Sequence, residues 1–214
     1  MTYLQLVNEV LARLRESSVA SVGQTSYSRL IGLLVNDTKR QVEDAWNWDA
    51  LNVTQTVTTS SGTSNYVVTG SGRRQKDVTV NDSTNKAELG LVPAQWIIDQ
   101  QQLSTVQMGA PVYYAWNGWT GTDSKVEFFP TPDSTYSIKF NMNVPQADLA
   151  EDTDVLLVPY EPVISGAFSR ALVERGEDGG LTSSEAYALY RGVLSDMIAL
   201  EQNRFPDWDT FRAS

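Results

Sequence analysis

Four carboxylates fall within seven residues, Asp148, Glu151, Asp152 and Asp154, and carboxylate pairs are what a glycoside hydrolase uses to protonate a leaving group and activate its nucleophile. That work needs two of them about 5–10 Å apart across a cleft, one with a raised pKa. A run of neighbouring acids ahead of a helix reads instead as a solvated linker. The chain has no Cys and no His, which removes thiolate nucleophiles, thiolate or imidazole zinc sites and histidine-based triads. The lack of Cys leaves the redox compartment open. The glycine-rich run Arg175-Gly176-Glu177-Asp178-Gly179-Gly180 lacks the Lys of a phosphate loop and follows no strand, so it reads as a turn. Tyr113, Tyr114, Trp116 and Trp119 could stack on a sugar, but their alternation suits packing in a core or interface. No catalytic, cofactor-binding or metal-ligating residue is expected.

Net charge is −10 over 214 residues, and residues 146–214 alone carry five basic and thirteen acidic side chains. Phosphate-neutralising nucleic-acid binding needs clustered Lys and Arg. The one local basic cluster, Arg73-Arg74-Gln75-Lys76, reads as a solvated loop. The N-terminal residues lack a basic region followed by an apolar run, and no apolar stretch is long enough to span a bilayer. A soluble protein made in a cytoplasm is expected.

The elements that must position these residues divide by periodicity. Thr2 and Gln5 match a capping box, and Leu4, Val7, Leu11 and Leu14 form one stripe of a helix to about Glu16. A second helix from Ser26 places Tyr27, Leu30, Ile31, Leu34, Val35, Thr38, Val42 and Ala45 on one face and ends at Trp46 and Trp48. Near the other end, Pro159-Tyr160-Glu161-Pro162 opens a helix with the stripe Val163, Ile164, Ala167, Phe168, Ala171 and Leu172. Thr182 to Glu185 caps a last helix bearing Tyr187, Tyr190, Val193, Leu194, Met197 and Ile198, ended by Pro206.

Between them lies a Thr/Ser/Tyr-rich stretch with period-two alternation. Strands are expected near Leu51–Val57, with Tyr66-Val67-Val68 as its hairpin partner, then at Val78–Val80, Leu89–Leu91, Pro111–Trp116, Lys125–Phe129 and Thr135–Met142, with a short helix or irregular crossing from Pro93 to about Leu103. The expected fold is α+β: a helical bundle built from both chain ends (1–50 and 146–204), an inserted antiparallel β-sandwich or barrel-like lobe (51–145), and a C-terminal tail (205–214).

Gly109-Ala110-Pro111-Val112-Tyr113-Tyr114, Phe128-Phe129-Pro130-Thr131-Pro132-Asp133 with Tyr136, Val144-Pro145 and Leu156-Leu157-Val158-Pro159-Tyr160 form an ordered series. Together with the short helix, linker and long helix ending in Trp46-Asn47-Trp48, it resembles the head-to-tail adaptor (connector) proteins of short-tailed phages, the group that includes tail tubular protein A. The resemblance covers nearly the whole chain. It implies a virion structural protein forming a dodecameric ring between the portal protein and the tail nozzle protein, helical lobe toward the portal and β lobe toward the tail. Genomic DNA would pass through the channel without tight binding, since an acidic wall repels phosphates. No membrane is implied.

Phe205, Trp208 and Phe211 recur every three residues in a segment too short to make its own core. Exposed aromatics are costly and are enriched at binding hot spots, and the resemblance implies that this tail is a portal-binding anchor. The readings this competes with are a carbohydrate-binding tail protein, a nozzle or stopper component, and a carboxylate-based glycan hydrolase.

Overall fold

The computed structural model describes residues 1–103, 105–176 and 182–204. It bears out the α+β class: five α-helices and two four-stranded sheets are present among the described residues, and neither sheet closes into a barrel. Two compact units result, Met1–Ala50 with Gln146–Ser214, and Leu51–Pro145.

The first unit is helical. In α1 (Tyr3–Arg13) the Thr2 hydroxyl accepts from the Gln5 N–H while the Gln5 side chain accepts from the Thr2 N–H, as the capping box predicts. The buried face is Tyr3, Leu6, Val7, Val10 and Leu11, so Leu4, expected in the stripe, is replaced there by Leu6 and Val10. The helix stops at Arg13 rather than Glu16 because Arg15 turns left-handed (φ 60°), with its N–H on the Ala12 carbonyl and the Glu16 N–H on that of Leu11. This is a Schellman end made without glycine, the residue that usually announces one.

In α2 (Ser26–Ala45), Thr25 caps Ser28, whose hydroxyl reciprocates. Its buried face carries Ile31, Val35 and Val42 but also Ser28, Asn36, Thr38, Lys39 and Glu43. Leu30 and Leu34, expected in the core, are half-buried, and Ala45 is exposed. The helix α4 (Tyr160–Glu174; α3 belongs to the second unit) buries Val163, Ile164, Ala167, Ala171 and Leu172 as expected, with Phe168 half-buried. The last helix, α5 (Thr182–Gln202), packs on α4, and α2 and α1 also pack on α4. Each side chain fully buried in such a core contributes roughly 1.5–3 kcal/mol.

Arg175 ties the ends of the chain together. Its guanidinium lies over the Tyr27 ring at 4.9 Å, donates to the Tyr27 hydroxyl at 2.6 Å and to the Leu14 carbonyl at 3.2 Å, and pairs with Glu16. The end of α4 is thereby fastened to the end of α1 and the start of α2.

The second unit pairs β1 (Asn52–Thr58), β3 (Lys76–Asp82), β4 (Ala87–Glu88) and β8 (Ser137–Asn143) in one sheet, order β1-β8-β3-β4, and β2 (Asn65–Val67), β5 (Gly90–Leu91), β6 (Tyr113–Trp119) and β7 (Ser124–Phe129) in the other, order β2-β7-β6-β5. The expected β1–β2 hairpin does not form. β1 pairs along its whole length with β8, and β2 pairs with β7 in the opposite sheet. The intervening Ser60–Ser64 segment crosses between layers, with Gly62 at φ 79°. Side chains of both sheets, among them Val57, Val80, Phe128, Ile138, Phe140 and Met142, form the sandwich core. A satellite cluster of Ile97, Ala115 and Phe129 lies under α3 (Ala94–Leu103).

Candidate functional site: the re-entry segment and the outward surfaces

The carboxylates that could have formed an acid–base pair lie on the segment that leads from Gln146 back into the helices, and each of three is held in a local structural bond. Asp148 receives two bonds from Arg40, the Nε one at 3.0 Å. Asp152 accepts from the Val22 N–H at 2.9 Å. Asp154 accepts from the Ala150 and Glu151 N–H groups at 2.7 and 2.8 Å, and these bonds lower its pKa. A general acid needs the opposite shift. Glu151 alone is exposed with no side-chain hydrogen bond or ion pair among the described residues.

The segment is gripped by the polar side chains that α2 buries. Asn36 bonds both backbone groups of Leu149, Lys39 donates to the Gln146 carbonyl at 2.7 Å, and Glu43 accepts from the Gln146 N–H at 3.1 Å while pairing with Lys39 at 3.0 Å. Spaced i, i+3 and i+7, these three share one helix face. An irregular segment lying against a helix has no ladder partner, and buried backbone groups must find one. Asn36, Lys39 and Glu43 supply it. Periodicity could not find them, because polar residues on an apolar face count as breaks in the pattern.

Of the four aromatics weighed as a sugar platform, Tyr114 and Trp116 are packed. Both donate to one Asp77 carboxylate oxygen, at 2.9 and 2.6 Å, and both rings meet Phe140. Burial, with Asp77 beside it, pushes the Tyr114 phenol well above its ordinary pKa. Tyr113 lies edge-on to Trp96 at 5.3 Å. Only Trp119 is left over an open groove of about 560 Å³, shared with Asn65, Asn117 and Lys125, and Arg73 of the basic cluster lies 6.0 Å from its ring.

A second open groove, about 360 Å³, runs between α2 and α5, where Tyr187 and Tyr190 line it. Trp48 is buried with its indole on the Val42 carbonyl, and Trp46 is half-buried. Phe205, Trp208 and Phe211 lie outside the described residues, as do Pro206 and most of the glycine-rich turn. No group of acidic side chains among the described residues is arranged to hold a metal ion, and no described helix is long and apolar enough to cross a membrane.

The described surfaces thus offer grooves and faces for other macromolecules. Comparison with curated proteins found no match. The family described as SU10 adaptor protein matches residues 1–211. With a two-unit α+β fold and a match over almost every residue, the chain belongs to the SU10 adaptor protein family and is a phage head-to-tail adaptor, a structural component of the virion that joins other virion proteins.

Proposed function

We propose that the protein assembles as a dodecameric ring between the portal protein and the tail nozzle protein, the helical unit toward the portal and the β unit toward the nozzle, lining the channel through which genomic DNA leaves. Its role is structural and non-enzymatic. The observation that carries this reading is the family match over residues 1–211. The −10 net charge, concentrated in residues 146–214, supports a channel wall that lets phosphates slide without sticking.

In this reading the tail with Phe205, Trp208 and Phe211 inserts between portal subunits as the anchor. Deleting residues 205–214, or changing Trp208 and Phe211 together to Ala, leaves the isolated protein folded and abolishes attachment to purified portal rings. Unchanged affinity of the truncated protein for the portal would put the anchor elsewhere. Sub-micromolar affinity for duplex DNA at physiological salt would refute the sliding channel. One observation favours a second reading: Trp119, with Asn65 and Asn117 in its groove, has the composition of a saccharide site, and binding to a glycan array would support it.

A further inference from the structure

β1 is an edge strand left without a guard. An open edge offers unpaired N–H and C=O groups to any other chain, and natural sheets blunt it with short strands, bulges, proline or charge. The other edges of this sandwich are treated in that way. β2 has three residues and β4 and β5 have two each. Where β3 and β6 run past their short partners β4 and β5, their register breaks, between Asp77 and Thr79 and between Trp116 and Trp119. β1 has seven residues in unbroken register with β8. Its sequence, Asn52-Val53-Thr54-Gln55-Thr56-Val57-Thr58, carries no proline, glycine or charge.

Alternate residues of an antiparallel strand turn both backbone groups to the same side. The Val144 N–H on the Leu51 carbonyl and the Thr59 N–H on the Tyr136 carbonyl continue the β1–β8 register at its two ends. Val53, Gln55 and Val57, in step with Leu51 and Thr59, therefore bond β8. Thr54, Thr56 and Thr58 are exposed and aim their N–H and C=O groups at the open edge.

The strand is complementary to a second copy of itself. Two β1 strands laid antiparallel about a two-fold axis at Gln55 bring outward-facing residues into register. Thr54 then falls opposite Thr56 of the second copy, a favourable cross-strand pair, and Val53, 37 % exposed, falls opposite Val57. No like charges meet. No other edge among the described residues matches β1 in length without a break. The contact uses up both edges, so it closes at two copies and offers no template to a third.

We infer that the free protein is a two-fold dimer joined through β1, the β1-β8-β3-β4 sheets of the two copies running into one. This goes beyond the ring reading and does not depend on it. A two-fold contact cannot repeat around a cyclic ring, so the dimer covers the edge of the free chain.

The test uses the full-length protein alone, with its mass in solution measured by analytical ultracentrifugation, amide hydrogen exchange followed residue by residue, and thermal unfolding recorded for each variant. The wild type should sediment as a dimer, with the Thr54 and Thr56 amides protected. Thr54→Lys with Thr56→Lys sets Lys opposite Lys across the two-fold axis and should weaken dimerisation by about tenfold or more. Thr54→Glu with Thr56→Glu should do the same. Mixing the two variants should restore a dimer, while each alone melts within a few degrees of the wild type, since the exchanged side chains are exposed. A monomeric wild type would overturn the proposal. So would a dimer indifferent to both variants, a mixture that fails to recover, or an oligomer in which Thr54 and Thr56 exchange freely. Protection that appears only when portal or nozzle protein is added would also overturn self-pairing and give the edge to that protein. None of these outcomes touches the ring reading.

Discussion

The Asn36 side chain satisfies both backbone groups of Leu149: its Nδ2 donates to the Leu149 carbonyl at 3.0 Å and its Oδ1 accepts from the Leu149 N–H at 2.9 Å. A helix residue thus does for a segment 113 positions away what a neighbouring strand does in a sheet. Asn36→Leu would fill similar space and leave two buried peptide groups unpaired, at about 1–3 kcal/mol each. Urea unfolding of the full chain should show a loss of roughly 2–5 kcal/mol with an unchanged m-value. A loss within error would mean that water reaches Leu149.

Lys39 and Glu43 are both fully buried and joined at 3.0 Å. Removing one partner of a buried pair strands the other charge, which costs about 3–5 kcal/mol, whereas replacing both with apolar residues is far less harmful. Lys39→Met should therefore destabilise more than Lys39→Met with Glu43→Leu, despite the lost bonds to Gln146. A double-mutant cycle in urea measures the coupling, and additive losses would contradict it.

Gly166 sits where α2, α4 and α5 meet. A Cβ there would come within 2.5 Å of a Thr38 methyl and 3.0 Å of the Tyr190 ring, whereas one on Gly192 would meet nothing within 4 Å. Gly166→Ala should cost about 1–3 kcal/mol by overpacking. Gly192→Ala, inside α5, should gain roughly 0.5–1 kcal/mol. Thermal unfolding of the two variants should move in opposite directions.

Asp154 titrates below its ordinary value of 3.8 because two backbone N–H groups stabilise its charged form. A depressed carboxylate contributes stability that is fully present above its unfolded pKa and is lost as pH falls through the folded value. Asp154→Asn should thus flatten the acid limb of the stability profile below about pH 4 and leave its shape at neutral pH unchanged. An acid limb identical to the wild type would remove Asp154 from the account.

Much of the fold could be read from apolar periodicity and caps. The Val163–Leu172 stripe of α4, the Thr2–Gln5 box and the strands β6, β7 and β8 stand where the pattern put them. What could not be read was set by distant or unannounced partners. The polar face of α2 makes sense only once residues 146–149 lie against it. The left-handed Arg15 ends α1 without a glycine. β1 and β2 look like a hairpin because they are close in sequence, yet β1 pairs with β8 and β2 with β7 in the opposite sheet, so Val57 and Tyr66 reach the sandwich core from different layers. As for the site, the acidic run was visible but not that only Glu151 is left unpaired, and the aromatic run did not reveal that Trp119 alone opens onto a groove.

The central claim is tested most directly by electron microscopy of the protein on purified portal, with the virion junction imaged for comparison. The account predicts a closed dodecameric ring around an open channel, helical unit against the portal and β unit away from it. Adaptor density scattered as single copies, or placed away from the junction between portal and tail, would contradict it.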